Sequence, residues 1–335
     1  ILETWKRTVY ISLVCVFCTA FGVSQLAPIL PLYFHDLGVQ TPEAMSLWSG
    51  LATGATYIIV CLAAPFWGRV ADKKGRKITL IRSSFGMALC NVLIAFQTTP
   101  EGVVLIRLVQ GLVSGFYSAS ITLIASESPI ERTGWALGLL ASANLAGSLI
   151  GPLLGGYIAD TVGIRNDFII VGVLVGLASV LATIFIHENY VPQPNPEKLS
   201  IRKLKEQIPE FNSIVALCVA SFIYAICIMS LQPVISVYIK GIVPSDTENL
   251  AFIAGAVFSA MGIAQLMSSS PLGKLVDKIG PRKVLVVSLI YVGILNIPQA
   301  YVSDVYQLAI IRFLQGFGLG GMLPALNTYL SSKTP

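Results

Sequence analysis

The histidines and cysteines of this sequence offer little for covalent or metal chemistry. The two histidines, His35 and His187, stand at the ends of apolar runs, and the sequence contains no Ser/His/Asp grouping, metal-ligand spacing or Walker-type phosphate loop. Cys15 and Cys18 have C-x-x-C spacing, but no histidine lies nearby. The cysteines all fall in apolar runs and are predicted to be small packing residues: Cys15, Cys18, Cys61, Cys90, Cys218 and Cys227. We therefore expect no enzyme activity, no metal site, no cofactor and no use of ATP.

Two arginines lie inside otherwise uncharged stretches, and they are the first candidates for function. Arg107 and Arg312 each sit a turn or two from the end of a long apolar run. A charged group within a bilayer is costly, so an arginine there is a functional candidate by default. The alternative is that each guanidinium snorkels to the nearby interface.

The composition excludes most soluble proteins. Of 335 residues, 55% are hydrophobic and only 12% are charged, with a mean hydropathy of +0.77. A soluble domain carries about 25% charged residues. This excludes an ordinary soluble enzyme, a disordered tail and a nucleic-acid binder, and it indicates that the lipid bilayer is the solvent. The net charge of +5 is then a property of the loops.

Ten uncharged runs are long enough to cross a membrane as helices, which takes about 20 residues. They are 8–34, 44–68, 83–100, 108–126, 133–159, 168–186, 211–239, 249–273, 284–303 and 313–332.

The basic residues set the predicted orientation. With the N-terminus in the cytoplasm, the inside segments hold 18 of the 22 Lys and Arg residues, and the outside segments hold only Arg165 and Lys240. The chain begins with Ile1, and no signal peptide is recognised. We therefore predict a multi-pass protein with a cytoplasmic N-terminus.

The sequence repeats itself at an offset of 205 residues. Paired positions include Pro28 with Pro233, Tyr33 with Tyr238, Gly50 with Gly255, Arg107 with Arg312 and Gln110 with Gln315. This offset preserves inside and outside, so it predicts two parallel, pseudo-symmetric helical bundles with a site near mid-membrane. The predicted divisions are a six-helix bundle at 1–186, a cytoplasmic linker at 187–210 and a four-helix bundle at 211–335. Two further spans would complete the second copy, which predicts a truncated twelve-span protein.

A loop motif after the second run also occurs twice. The first copy contains Gly68, Asp72, Gly75, Arg76 and Lys77, and the second contains Gly273, Asp277 and Gly280, with Pro281 in place of the first basic residue. We expect Gly68 to permit close helix packing, Gly75 to form a left-handed turn and Asp72 to cap a helix. Positive-inside charge alone explains the basic residues but not the second copy.

These motifs resemble the major facilitator superfamily. The loop resembles its cytoplasmic signature, and Arg107, Gln110 and Gly111 resemble its fourth-span motif. The fifth run resembles the antiporter motif of its exporters, with Gly138, Gly147, Gly151, Pro152, Gly155 and Gly156. Glycines at every fourth position also predict close helix packing, which is the alternative explanation of the spacing. The whole chain is most similar to the bacterial 12-span drug:H+ antiporters of the MdtG/PmrA-like multidrug efflux group, in the inner membrane.

The resemblance implies roles for several charged residues. It implies that Arg107 faces the transport cavity and takes part in proton coupling, and Arg312 is its repeat. It implies that Glu127 pairs with Arg76 and Asp72 to lock an inner gate, whereas a solvated loop charge is the alternative for Glu127. No Asp or Glu lies at mid-depth in the ten runs, but the missing spans could hold the proton carrier, so this absence does not argue against proton coupling.

Polar and aromatic residues within the runs are candidates for the cavity lining, and helix packing or lipid contact is the alternative for each. The candidates are Gln25, Tyr57, Tyr117, Asn144, Tyr224, Gln232, Phe258, Gln265 and Asn327, with Met229 and Met261 as adaptable apolar surface.

The sequence thus favours a proton-coupled exporter of small lipophilic compounds that works by alternating access. The alternatives are a facilitator for sugars or other metabolites, and a membrane sensor or scaffold with a transporter-like body. The expected partners are a small-molecule substrate, protons and the lipid bilayer, with no nucleic acid, and the expected state is a monomer.

Overall fold

The computed structural model describes residues 4–188, 211–244 and 247–333, and all regular elements in these ranges are α-helices. The first eight are α1 (Thr4–Ser24), α2 (Leu26–Asp36), α3 (Pro42–Lys74), α4 (Arg76–Ala95), α5 (Pro100–Val113), α6 (Phe116–Glu127), α7 (Ile130–Val162) and α8 (Ile164–Phe185). The remaining helices are α9 (Phe211–Ile242), α10 (Leu250–Ile279), α11 (Pro281–Gln299) and α12 (Val305–Lys333).

Local sequence explains where several of these helices begin. Thr41 and Thr99 cap α3 and α5, since their hydroxyl oxygens accept hydrogen bonds from the backbone N–H groups of Ala44 (3.3 Å) and Gly102 (3.2 Å). Proline follows each cap, where its missing N–H costs nothing. Glycines with φ of +97° at Gly75 and +90° at Gly280 separate consecutive helices. Residues other than glycine rarely adopt such a positive φ. The predicted turn at Gly75 is therefore confirmed, and it is repeated at Gly280.

The ten predicted membrane runs fall largely on helices, and the run 8–34 is divided between α1 and α2. Eight helical segments in the described residues are long and apolar enough to cross a bilayer. One of these combines α5 with α6 as Pro100–Glu127, and an additional apolar segment covers Ile228–Ile242 of α9. Many side chains of α9, and those of α12 from residue 327 onward, lie outside the description. The prediction of an all-helical membrane protein is confirmed.

The chain divides into two compact units, one comprising residues 1–194 with 248–255 and the other residues 195–247 with 256–335. In the first unit, α1 packs along α7, α4 along α8 and α3 along α5. Its core contains fully buried residues from five helices, among them Val16, Leu80, Leu123, Leu140 and Val171. The predicted linker falls mostly on residues 189–210, which lie outside the described residues, so its boundaries remain predictions.

The second unit repeats contacts of the first. The Tyr33 hydroxyl donates to the backbone carbonyls of Ile94 (2.7 Å) and Gln97 (3.2 Å). The Tyr238 hydroxyl donates to the carbonyl of Val302 at 2.5 Å, and both residues of this pair lie 205 positions after Tyr33 and Gln97. The sequence repeat is therefore also a repeat of hydrogen bonding.

The cysteines for which side chains are described are free thiols. Cys15, Cys18 and Cys90 are buried, and the Cys15 thiol donates to the carbonyl of Ala178 at 3.1 Å. Cys61 is exposed on α3. The side chains of Cys218 and Cys227 lie outside the described residues.

Candidate functional site

A cavity of about 460 Å³ lies within the first unit, between α1, α3, α4, α5, α6 and α7. Three residues predicted to line a cavity, Tyr57, Tyr117 and Asn144, do line it. Arg107 and Gln110 from α5 also contribute to its wall. The remaining lining residues are Thr19, Ala20, Val23, Ser24, Thr56, Val60, Met87, Ser114, Gly115, Phe116, Ser118 and Ser148.

Arg107 is held at the wall of this cavity by its own helix and by α3. Its side chain is only 5% exposed, and its Nη1 donates to Gln110 Oε1 at 2.6 Å. The Thr56 hydroxyl donates to the Arg107 backbone carbonyl at 3.0 Å and so joins α3 to α5. This burial excludes the snorkelling alternative, because a snorkelling guanidinium would reach the interface.

The fourth predicted span is broken next to the cavity. α5 ends at Val113 and α6 begins at Phe116, with Gly115 at a φ of +110° between them. The carbonyls left without helical donors are bound from neighbouring helices. Trp67 Nε1 donates to the Leu112 carbonyl at 2.7 Å, and Arg82 Nη2 donates to the Ser114 carbonyl at 3.1 Å.

A second cavity of about 400 Å³ lies towards Gly75, and we refer to that side of the first unit as the Gly75 end. Asp72, Arg76 and Arg82 line it together with Gly68. Two expectations were wrong here. A Cβ at Gly68 would meet nothing within 4 Å, so this glycine does not mediate close packing with any of the described residues. Asp72 lies in the last turn of α3 and not at the start of a helix.

The start of α4 is capped by a residue that sequence reasoning did not identify. Glu188 accepts hydrogen bonds from the backbone N–H groups of Arg76 and Lys77, each at 2.8 Å. Gly75 precedes this helix and supplies no side-chain cap of its own, so a carboxylate from elsewhere satisfies the free N–H groups. Glu127, which was expected to join Asp72 and Arg76, is the last residue of α6.

The glycines of α7 form a close contact with α1. A Cβ at Gly147 would lie 2.5 Å from the carbonyl oxygen of Phe17, and one at Gly151 would lie 2.7 Å from that of Phe21. Gly155 lies against the side chain of Gln25, and Gly156 against the backbone of Ala251. Pro152 lies within α7. Gly138 is different, because a Cβ there would meet nothing within 4 Å in the described part of the chain.

Gln25 does not lie where sequence reasoning placed it. It is fully buried at the junction of α1 and α2 and packs against Gly155 rather than lining the 460 Å³ cavity. Because α7 lies so close at Gly155, the Gln25 side chain is packed in the interface with α7 and does not reach the cavity.

In the second unit, Arg312 is as buried as its repeat but is held differently. It is 2% exposed, its Nη1 lies 3.5 Å from Met261 Sδ, and its Cζ lies 5.9 Å from the centre of the Phe258 ring. Gln315 does not bind it. Instead, Gln315 Nε2 donates to Asn296 Oδ1 at 2.9 Å, and Gln315 Oε1 accepts from Gln299 at 3.2 Å.

The other second-unit candidates are only partly described. Gln232, Phe258, Gln265 and Met261 are half-buried, and Met229 is 37% exposed. Gly273 lies in α10 and Gly280 ends it. The side chains of Tyr224, Asp277 and Asn327 lie outside the described residues.

Asp167 is a buried acid that the sequence analysis missed. It follows the short turn at Gly163, one residue before the predicted sixth span, and the structure places it inside α8 with a fully buried side chain. The signal available in the sequence was its position at the edge of a strongly apolar run. Within the described residues, no group of three or more His, Cys, Asp or Glu side chains is arranged to hold a metal ion.

Comparisons with known proteins agree with this architecture. The family model described as Major Facilitator Superfamily matches residues 12–242 and 217–335. The chain is 40% identical over 326 residues to the multidrug resistance protein MdtG of Dickeya zeae, which covers 97% of this chain and 80% of that protein. It is also 40% identical over 331 residues to the multi-drug resistance efflux pump PmrA homolog of Lactococcus lactis, covering 99% and 81%.

Two solved structures share the fold at low sequence identity. The human organic anion transporter MFSD10 superposes with a TM-score of 0.70 at 15% identity, covering 99% of this chain and 87% of that chain. The nucleoside transporter NupG superposes with a TM-score of 0.73 at 13% identity, covering 99% and 84%. The repeated cytoplasmic-type loop, the buried arginines and these matches together show that the chain is a multi-pass membrane protein and belongs to the major facilitator superfamily.

Proposed function

We propose that this protein exports small lipophilic compounds by alternating access, driven by protons that move in the opposite direction. The observation that carries the proposal is the 460 Å³ cavity with Tyr57, Tyr117 and the buried Arg107 in its wall. Aromatic and small apolar side chains accept ligands of varied shape, which suits a pump with many substrates. The names of the relatives, multidrug resistance protein and efflux pump, support the same substrate class.

The hydroxyl groups of the cavity weigh against the sugar facilitator. Each of its Ser and Thr hydroxyls donates to a backbone carbonyl, which leaves few free donors for a polyhydroxylated substrate. These residues are Thr19, Ser24, Thr56, Ser114, Ser118 and Ser148.

Proton movement can supply the energy. One charge that crosses a membrane potential of 100 mV provides about 2.3 kcal/mol, which corresponds to roughly 50-fold accumulation of a neutral substrate. We propose that Arg107, and Arg312 in the second unit, take part in coupling proton movement to transport. The α7 motif at Gly138, Gly147, Gly151, Pro152, Gly155 and Gly156 is proposed to restrict the passage on the exporting side.

We also propose that Asp72, Arg76 and Glu127 close the Gly75 end, with Gly68 and Gly75 shaping the loop and Gly273, Asp277 and Gly280 forming its second copy. Exchange of Asp72 for Asn is then expected to leave substrate binding largely intact and to slow cycling. Normal cycling with lost binding would contradict this gate.

The Gly75 end is proposed to face the cytoplasm of a bacterial inner-membrane protein that acts as a monomer with its N-terminus inside. Cysteines introduced singly at the exposed positions Lys74 and Lys278 should then react with an impermeant thiol reagent from the same side, in a background in which the native cysteines are replaced. Labelling from opposite sides would disprove the parallel repeat.

The experiment that tests export uses everted membrane vesicles that contain the full-length protein. A fluorescent lipophilic drug should accumulate when a proton gradient is imposed, and a protonophore should abolish the accumulation, whereas removal of ATP should not. Vesicles without the protein provide the control. Accumulation that survives a collapsed proton gradient would disprove proton coupling, and uptake of sugars in place of drugs would support the facilitator.

A further inference from the structure

Asp167 is a carboxyl group that the first unit encloses completely. Its side chain has 0% exposure, and neither carboxyl oxygen has a hydrogen-bond partner among the described residues. It lies in the first turn of α8, directly after Arg165 and Asn166, which are exposed. The group is therefore sealed, yet it lies within one helical turn of the surface.

Apolar side chains surround this part of α8. The neighbouring Phe168 is fully buried, with its ring centre 5.2 Å from that of Tyr33. Val171, one turn further along, is fully buried against α1, since a Cβ at Gly22 would lie 3.0 Å from Val171 Cγ1. None of the side chains described around Asp167 replaces the hydration that an ionised carboxylate has in water.

Nearby ionisable groups are engaged elsewhere. Arg165 on α8 reaches the Gln97 carbonyl with Nη2 at 3.5 Å. The Tyr33 hydroxyl on α2 donates to the Ile94 carbonyl. Asp160 on α7 accepts hydrogen bonds from the backbone N–H groups of Ala251 (3.2 Å) and Phe252 (2.7 Å). The helices packed against α8 are α1, α4 and α7. Their other ionisable side chains are Lys6, Arg7, Tyr10, Cys15 and Cys18 on α1, Arg76, Lys77, Arg82 and Cys90 on α4, and Glu131, Arg132 and Tyr157 on α7, while α2 also carries His35 and Asp36.

The contrast with Asp160 shows what Asp167 lacks. Asp160 has two N–H donors for its negative charge, whereas Asp167 has neither a donor nor a paired cation among the described residues. A buried carboxylate without compensation is strongly disfavoured, so Asp167 holds a proton in this conformation. The protonated group is neutral and is compatible with its surroundings.

A second unpartnered polar side chain lies close by. Asn91 on α4 is fully buried, and neither of its amide atoms has a partner in the described structure. A Cβ at Gly22 would lie 3.7 Å from Asn91 Nδ2 as well as in contact with Val171, which is one turn after Asp167. Its repeat, Asn296, uses its side chain in the amide network with Gln315. Where α1, α4 and α8 meet, the Asn91 amide is therefore not used in a hydrogen bond to the described residues, whereas the equivalent amide of the second unit is.

We propose that Asp167 is a proton-binding site of the transport cycle, an inference that rests on the proposed proton-coupled export. The Asp167 carboxylate takes one proton from the medium beyond Gly163 to form the neutral acid that suits its apolar surroundings. It releases that proton towards the opposite side of the membrane when a rearrangement of α8 against α1 and α4 admits water or the Asn91 amide, either of which stabilises the carboxylate that is left. The step is proton binding and release alone, so no other bond forms or breaks.

The test compares Asp167→Asn with Asp36→Asn in everted vesicles of the full-length protein. Asp36 is an exposed carboxylate at the end of α2 and serves as the matched control. Asp167→Asn places a neutral side chain of similar shape at this position, and the amide cannot bind and release a proton as the carboxyl group does. We expect it to lose most of the roughly 50-fold accumulation that one proton charge can drive, while downhill exchange of the drug stays within about twofold of the wild type. Asp36→Asn should retain both.

A second measurement tests protonation of Asp167 directly, without relying on a transport assay. A hydrophobic carbodiimide, which reacts with protonated carboxyls in apolar surroundings, should modify Asp167 in the wild-type protein, with mass spectrometry of the peptide as readout and Asp36 left unmodified. Modification should fall as the pH of the medium is raised. If Asp167→Asn does not reach the membrane in wild-type amounts, this labelling of the wild-type protein decides the question.

Proton-driven export by Asp167→Asn at the wild-type level would overturn the inference, as would absence of pH-dependent labelling at Asp167. A wild-type protein that shows no proton-driven export at all would instead disprove the proposed function, whatever the labelling shows.

Discussion

The guanidinium of Arg82 lies over the indole ring of Trp67, with its Cζ atom 3.4 Å from the centre of the ring. Both side chains donate to the carbonyl of Leu112, Trp67 at 2.7 Å and Arg82 at 3.4 Å. They stabilise the end of α5, because the last carbonyls of a helix have no intrahelical donor and attract positive charge.

The second unit shows why this pair matters. The positions 205 residues after Trp67 and Arg82 hold Leu272 and Val287, neither of which can donate to a carbonyl. In that unit α12 continues from Val305 to Lys333 without the break that separates α5 from α6. A broken membrane helix is found where neighbouring groups bind its free backbone atoms, and here those groups are Trp67 and Arg82.

The first prediction concerns this indole donor. Trp67→Phe keeps an aromatic face for Arg82 but leaves the Leu112 carbonyl with only the longer Arg82 contact. We expect the free energy of unfolding to fall by about 0.5–1.5 kcal/mol, the net contribution of one hydrogen bond. The measurement is denaturant unfolding in detergent. Trp135→Phe is the control, because Trp135 is 45% exposed, and it should change the value by less than about 0.5 kcal/mol. Equal effects of the two variants would contradict the role of Trp67.

The break in the fourth span also shows where sequence reasoning stopped. The run 108–126 is uncharged throughout, and the residues that permit its break, Trp67 and Arg82, lie 30 or more positions away from Leu112. In the sequence, Arg82 was interpreted only as a loop charge, because nothing in the local pattern shows that its side chain binds the carbonyl of Ser114.

The features that could be predicted from the sequence are those set by local chemistry. Positive φ at Gly75 and Gly280 follows from the residue type in a short interhelical turn, and the helix pattern follows from apolar length. Gly68 and Gln25 were misplaced, because side-chain type alone does not say which face of a helix meets a neighbour. Asp167 was missed for a related reason, since an acid one residue outside an apolar run has the pattern of a loop charge.

The second prediction compares the two buried arginines by double-mutant cycles. Arg107 is hydrogen-bonded to Gln110, whereas Arg312 and Gln315 have separate partners. For Arg107→Met and Gln110→Leu we expect a coupling free energy of about 0.5–3 kcal/mol in the free energy of unfolding. The matched cycle of Arg312→Met and Gln315→Leu should give a value near zero. Similar coupling in both cycles would show that the two repeats hold their arginines in the same way.

The third prediction concerns the contact of α7 with α1. Gly147→Ala places a methyl group 2.5 Å from the Phe17 carbonyl oxygen, so α7 must move away from α1. We expect this overpacking to cost about 1–3 kcal/mol and to lower the melting temperature in detergent. Gly138→Ala is the matched control on the same helix, since its Cβ would have no neighbour within 4 Å in the described structure. It should be neutral or stabilising by up to about 1 kcal/mol, because alanine favours helix over glycine. The glycine contact would be refuted if Gly147→Ala were tolerated as well as Gly138→Ala.

The last prediction concerns the cap at the start of α4. Glu188 binds the backbone N–H groups of Arg76 and Lys77, and it does so next to the loop that is proposed to form the gate. Glu188→Ala removes both acceptors and should destabilise the first turn of α4 by about 1–2 kcal/mol, a range typical of lost N-caps. Hydrogen exchange at the Arg76 and Lys77 amides should therefore accelerate by about 5- to 30-fold, while exchange in the middle of α4 stays unchanged.

The control is Glu131→Ala, which removes an exposed acid in the first turn of α7 and should leave exchange of the α4 amides unaffected. Because Arg76 at the start of α4 and Asp72 line the same cavity, Glu188→Ala should also slow transport cycling in the same direction as Asp72→Asn. Unchanged exchange at residues 76 and 77 would show that Glu188 does not cap this helix in the membrane.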